Sequence, residues 1–240
     1  MRIRLQRDID RLKERIVSLG TLVEEHFRKA IKAIQNRDAL LAKAVIDGDI
    51  EVDRLEVDVE EDCLKILALH QPVADQLRYI VAILKMNNDL ERIGDLAVNI
   101  AEQAEFIARD DQPAFAFDYM TMGAKAEEML KKSLDSLINT DLRLAYEVLS
   151  RDDEVDSMKD AVEAQFAQEI CKSKGDPASM INLFLVSRHL ERIADHATNI
   201  AEDVIYLITG EIHRHRGAVV IRGSDSWFTK SHPDELCLPE

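Results

Sequence analysis

A chain of 240 residues, 46% hydrophobic and 32% charged, has apolar material for a substantial core in one or two domains. Its formal net charge of −15 excludes a general nucleic-acid binder, because phosphate contact needs a basic face that this composition would have to build against its own average. Three scattered cysteines, Cys63, Cys171 and Cys237, speak against a disulfide framework or a thiolate metal site and for a reduced, cytoplasmic setting.

The first residues, MRIRLQRDIDRLKERI, are charged at once and contain no apolar stretch of the signal-peptide kind. Leu12, Ile16, Leu19, Val23, Phe27, Ala30 and Ile34 then recur at three- and four-residue steps, which predicts one apolar stripe on a long helix over about 4–37. Asp38 stands where an N-cap belongs, and a second helix is expected to about residue 69, with Val45, Val52, Leu55, Val59, Cys63 and Ile66 inward. Pro72 suits the first turn of a third helix, the only part of a helix that tolerates proline well. Met86, Leu90, Ile93, Ala97, Ile100, Ala104 and Ile107 keep heptad spacing there, so the third helix should be the central packing element. The longest apolar runs, residues 79–84 and 181–186, are too short to cross a bilayer, which leaves at most peripheral membrane association through partners.

Charge and Pro113 mark residues 109–118 as a linker between a first repeat, 1–108, and a second, 119–212. Phe27 to Asp53 aligns with Leu130 to Asp156 at an offset of 103, including Asn36 and Asp38 against Asn139 and Asp141. By residue 79 the offset is 100, so the second copy is shorter near 172–177, where Pro177 takes the part of Pro72. Val186, Leu190, Ile193, Ala197, Ile200, Val204 and Leu207 repeat the heptad stripe. No segment alternates with period two over a strand's length. The expectation is all-α: six long helices in two tandem antiparallel three-helix bundles, from an internal duplication. The segment 213–240, with its glycines and prolines, has no counterpart in the first repeat and reads as a flexible tail.

The most faithful part of the duplication is LERIGDLAVNIAE, residues 90–102, which returns as LERIADHATNIAE, residues 190–202, with ten of thirteen positions identical. Glu91, Asp95 and Asn99, and likewise Glu191, Asp195 and Asn199, form ladders of oxygen-bearing side chains one helical turn apart. Asp49 and Asp53, repeated as Asp152 and Asp156, form a second four-spaced acidic pair on the preceding helix of each repeat. Two such helices can hold cations that prefer oxygen, namely iron, manganese, magnesium or calcium, whereas zinc would want sulfur or histidine. Against this, at about 100° per residue the Glu91 ladder lies opposite the Leu90 seam, which is where an ordinary solvated face would be. The repeated asparagine and the repulsion between four-spaced carboxylates favour a cation. Arg92 and Arg192 read as local partners of Asp95 and Asp195, Gly94 and Ala194 as small residues that permit close helix approach, and the unduplicated His189 and His196 as packing or surface residues.

The duplicated LERIxDxAxNIAE with its upstream DxxxD elements resembles the PhoU family of phosphate-uptake regulators, over residues 5–212. The resemblance implies tandem three-helix bundles with metal-binding acidic motifs on the surface, here Asp49, Asp53, Glu91 and Asp95, then Asp152, Asp156, Glu191 and Asp195. It implies a cytoplasmic negative regulator of the phosphate-starvation response, an adaptor between a phosphate ABC transporter and a sensor histidine kinase. A homodimer is expected. The alternatives are a carboxylate-bridged metal-dependent enzyme or metal-storage bundle, and a purely structural coiled coil. The enzyme reading lacks a nucleophile and base, a glycine-rich phosphate loop and a duplicated histidine.

Overall fold

The computed structural model describes residues 2–109, 117–170 and 177–211; most of the expected linker, the turn near 172–177 and the tail 213–240 lie outside them. Among the described residues there are seven helices and no strand: α1 (Arg2–Asn36), α2 (Ala39–His70), α3 (Asp75–Ile107), α4 (Tyr119–Asn139), α5 (Leu142–Leu149), α6 (Asp152–Glu169) and α7 (Pro177–Thr209). None is long and apolar enough to cross a membrane.

Local sequence explains where the helices begin. Asp38 caps α2 by accepting from the backbone N–H groups of Leu40 and Leu41, and its duplicate Asp141 caps α5 through Arg143 and Leu144. A carboxylate-to-backbone cap of this kind satisfies donors that the first turn leaves without helical partners. Gln71, in the left-handed region at φ 46°, ends α2 by returning its N–H to Leu67. Pro72 does not open α3 as expected. It is buried in the turn, and the helix starts at Asp75, after Ala74 has reversed the chain at φ 51°.

The second correction is the helix count. The region expected to form one helix from Asp141 onward is two, α5 and α6, broken at Ser150 and Arg151. Ser150 donates its hydroxyl to the Glu147 carbonyl, and Arg151 pairs with Glu128 of α4, while the backbone of both stays in the right-handed region. At the corresponding point in the first repeat stand Asp47 and Gly48, and α2 runs through unbroken. The restart gives α6 three acids in its first turn, Asp152, Asp153 and Glu154, where the positive end of a helix dipole favours them.

The heptad stripes form the core. All seven expected α3 positions are buried, as are Val186, Leu190, Ile193, Ala197, Ile200 and Val204 of α7. α3 and α7 pack on each other more extensively than any other pair, with α1 and α2 against α3 and with α4, α5 and α6 against α7. The central position expected for α3 is therefore shared with α7. On one side of this spine α1 crosses α4, and the contact repeats itself under the duplication. A Cβ on Gly20 would lie 2.7 Å from Leu134 Cδ2, and one on Gly123, its counterpart at offset 103, would lie 2.9 Å from Ile31 Cδ1, Ile31 being the counterpart of Leu134. Each helix thus inserts one branched side chain into a glycine notch of the other. Gly20→Val with Gly123→Val is expected to cost about 2–4 kcal/mol by overpacking, read as a lowered midpoint in urea denaturation. An unchanged midpoint would show that α1 and α4 can part without loss.

Candidate metal centre

In each repeat the acidic pair of the second helix comes to face the acidic pair of the third. Gly94 makes this possible in the first: its missing Cβ would sit 3.1 Å from Val52 Cγ1 and 3.8 Å from Asp49 Oδ1, so α2 lies close against α3 at the point where Glu91 and Asp95 flank the glycine. Ala194 is the equivalent small, buried residue of α7. The expectation that the Glu91 ladder points into solvent opposite the seam is corrected here. α3 has neighbours on more than one side, and Glu91, Asp95 and Asn99 are half-buried.

The second repeat gathers its acids more tightly. Asp156, Glu191 and Asp195 each bring a carboxylate oxygen within 4.8 Å of the other two. Asp152 lies beside them: burial, then the charges of Asp156 and Asp195, push its carboxyl up to about 6. Its Oδ1 is buried with no hydrogen-bond partner among the described residues. Partial burial, followed by the neighbouring carboxylates Asp195 and Asp156 respectively, also raises Glu191 and Asp195. Three raised carboxyls, Asp152, Glu191 and Asp195, with one oxygen left unsatisfied, are an arrangement that a cation would relieve.

In the first repeat burial raises Asp49, with Asp53 and Asp95 adding to it, and burial and Asp95 raise Glu91. Here Arg92 intervenes, 3.0 Å from Asp95 and 3.4 Å from Glu91, as the sequence led one to expect for the i, i+3 pair. Arg192 acts on Asp195 through its charge alone. The first group thus has an arginine ion-paired to its acids, where none is paired to Asp195 among the described residues.

One expected ligand has other company. Asn199 donates its amide to Asp89 of α3 at 3.3 Å, and Asp89 also lies 2.8 Å from His196 Nδ1, so Asn199 and His196 belong to the seam between the repeats. Asn99 is half-buried on α3. Sequence reasoning missed Asp89, and it missed Glu56, whose charge bears on Glu91 and which is held by two 3.0 Å bonds from the Asn87 amide, to its backbone carbonyl and to Oε1. Aligning the repeats would have found Glu56, because its counterpart at offset 103 is Lys159, whose charge bears on Glu191. The acid of one group is exchanged for a base in the other.

Comparison with known proteins gives a concordant result. A family model described as the PhoU domain matches the chain twice, over residues 16–104 and 119–204. A phosphate-specific transport system accessory protein PhoU homolog of Aquifex aeolicus is 38% identical over 216 residues, covering 89% of this chain and 97% of that one. A protein of the same description from Caulobacter vibrioides is 37% identical, covering 85% and 89%. Among solved structures, PhoU from Pseudomonas aeruginosa superposes with a TM-score of 0.82 at 31% identity, over 86% of this chain and 99% of that one. The phosphate transport system regulatory protein PhoU from Streptococcus pneumoniae gives 0.80 at 26% identity, over 87% and 98%.

Proposed function

The chain belongs to the PhoU family, and on that footing we propose that it is an accessory protein of phosphate-specific transport. It acts in the cytoplasm as an adaptor between a phosphate ABC transporter and a sensor histidine kinase, and holds down phosphate uptake and the phosphate-starvation response when phosphate is plentiful. The observation that carries this reading is near full-length similarity, over 89% of this chain and 97% of the Aquifex aeolicus protein, to a relative named for that transport system. The role is one of binding rather than catalysis.

The regulatory surface in this reading includes two cation sites. Asp152, Asp156, Glu191 and Asp195 hold one; Asp49, Asp53, Glu91 and Asp95 hold its duplicate. The fit rests on the unpartnered Asp152 Oδ1, on the approach of three carboxylates to within 4.8 Å and on a donor set made only of carboxylate oxygen. Such donors suit magnesium, manganese, calcium or iron. A bound cation would supply positive charge, while the chain's own part is to hold carboxylates of two helices face to face. Asn199, engaged by Asp89, is left out of the second set, while Asn99 remains beside the first.

Elemental analysis of protein purified without chelator tests the cation sites. About one cation or more per repeat is expected, and none after supplementation with each of the four metals would return these acids to an electrostatic role. Deleting the gene tests the regulatory reading separately. Phosphate-scavenging genes should then be expressed in phosphate-rich medium, and unchanged expression and uptake would refute it.

A further inference from the structure

The outer face of α2 is unlike that of any helix it is related to. Ile50, Val57 and Leu64 recur at seven-residue steps and are 75%, 49% and 53% exposed. At 1.5 Å per residue they form an apolar line about 21 Å long, the pattern by which a helix seats a partner helix. The duplication supplies an internal control. At offset 103 the same three positions of α6 are Asp153, Asp160 and Ala167, all exposed. The fold does not require aliphatic residues there; the second repeat does without them.

Charge says what kind of helix would fit. α2 carries nine carboxylates against three lysines and arginines, and the line is bordered by Asp53 and Glu60 on one side and, on the other, by Arg54 and by Asp47 and Glu61, which pair with Lys43 and Lys65. A second copy of this chain would bring the same acids face to face, and one short line of three residues falls well below the roughly 800 Å² per partner of a stable dimer. We propose that the Ile50–Val57–Leu64 face of α2 is a docking surface for a basic amphipathic helix of another protein, whose apolar side covers the three residues while its lysines or arginines meet the bordering carboxylates. This goes beyond the adaptor reading, since it stands on exposed apolar surface and charge; of its bordering acids only Asp53 is shared with the proposed cation site, and neither Ile50 nor Val57 belongs to it.

The probe is a fluorescently labelled 21-residue peptide with leucines at heptad a and d positions and lysines on the rest of its surface. It is compared with a scrambled peptide of the same composition. Anisotropy is measured with the full chain and with I50D/V57D, which gives the first repeat the residues of the second. The substitutions are on exposed positions, and circular dichroism checks that the variant keeps its helix content. They also add negative charge, so binding by charge alone would strengthen. The expected result is one-to-one binding of the amphipathic peptide, weakened about tenfold or more in I50D/V57D, with the scrambled peptide binding more weakly to both. Equal or tighter binding by the variant, or no preference between peptides, overturns the proposal. So does concentration-dependent self-association of the full chain in sedimentation that I50D/V57D abolishes, because a second copy would then be the occupant.

Discussion

Asp156→Asn combined with Asp195→Asn is expected to weaken cation uptake by the second repeat about a hundredfold or more, an effect at least as large as that of removing a supporting group around a metal. Two of the three carboxylates that approach within 4.8 Å become amides. An amide oxygen is a poorer donor to a hard cation, and the remaining pair, Asp152 and Glu191, lie on different helices. The fold should not suffer, because the removed charges repel one another and no ion pair of either residue is among those found in the described parts. Titration calorimetry with manganese should show the stoichiometry falling to that of the first repeat alone. Unchanged stoichiometry and affinity would sink the ligand assignment while leaving the fold as described. In cells, the same variant should lose part of its repression of phosphate-scavenging genes while remaining folded.

A second large effect concerns pH in the absence of cations. The Asp152 carboxyl ordinarily titrates at 3.8 and is pushed up to about 6 in the folded chain. The folded state therefore holds this proton more tightly than the unfolded chain, and between these values stability falls as pH rises. The penalty is absent below about 4, grows through about 6 and is complete at neutral pH. Undiluted, such a shift would correspond to roughly 3 kcal/mol; a half-buried group with water at its edge is expected to show about 1–2 kcal/mol. Asp152→Asn should stabilise the chelated protein by that amount at pH 7.5 and by little at pH 4. Saturating manganese should reverse the order at pH 7.5, since the wild type binds the cation better. Chemical denaturation of both proteins across this pH range measures the difference directly, and a stability gap independent of pH would show that Asp152 ionises freely.

Much of the fold was legible because the apolar residues obey one period from end to end. Leu12 to Ile34 and Met86 to Ile107 are buried at every expected position, and Asp38 caps the helix it was assigned to, as does its aligned counterpart Asp141. The α5–α6 break was not legible from periodicity. Val148, Val155 and Val162 remain in seven-residue register across it and are all buried, so the apolar pattern reads straight through Ser150 and Arg151. The approach of the two acidic pairs in each repeat was foreshadowed by the duplication, whereas the Glu91 ladder, read as lying on a solvated face, is half-buried. A helical wheel drawn about one seam treats the opposite face as solvent, but α3 is packed against α1, α2 and α7 at once. Asn199 was assigned to the acids on its own helix; its partner, Asp89, is 110 residues away and could be found only in three dimensions.

At the two proposed cation sites, the exchange of Glu56 for Lys159 would give the two halves unequal appetites. Lys159 is a counter-ion that cannot diffuse away, already neutralising part of the charge beside Glu191, while Glu56 adds to the charge beside Glu91. A gene duplication that had left both halves identical would yield two sites filling together, over one narrow span of concentration. With a tethered ammonium on one side and an extra carboxylate on the other, half-filling of the proposed sites would fall at different concentrations in the two halves. The molecule would then pass through a singly loaded form, distinct in charge from both the empty and the full one. A partner that recognised only that form would respond to an intermediate supply, a band-pass rather than a threshold.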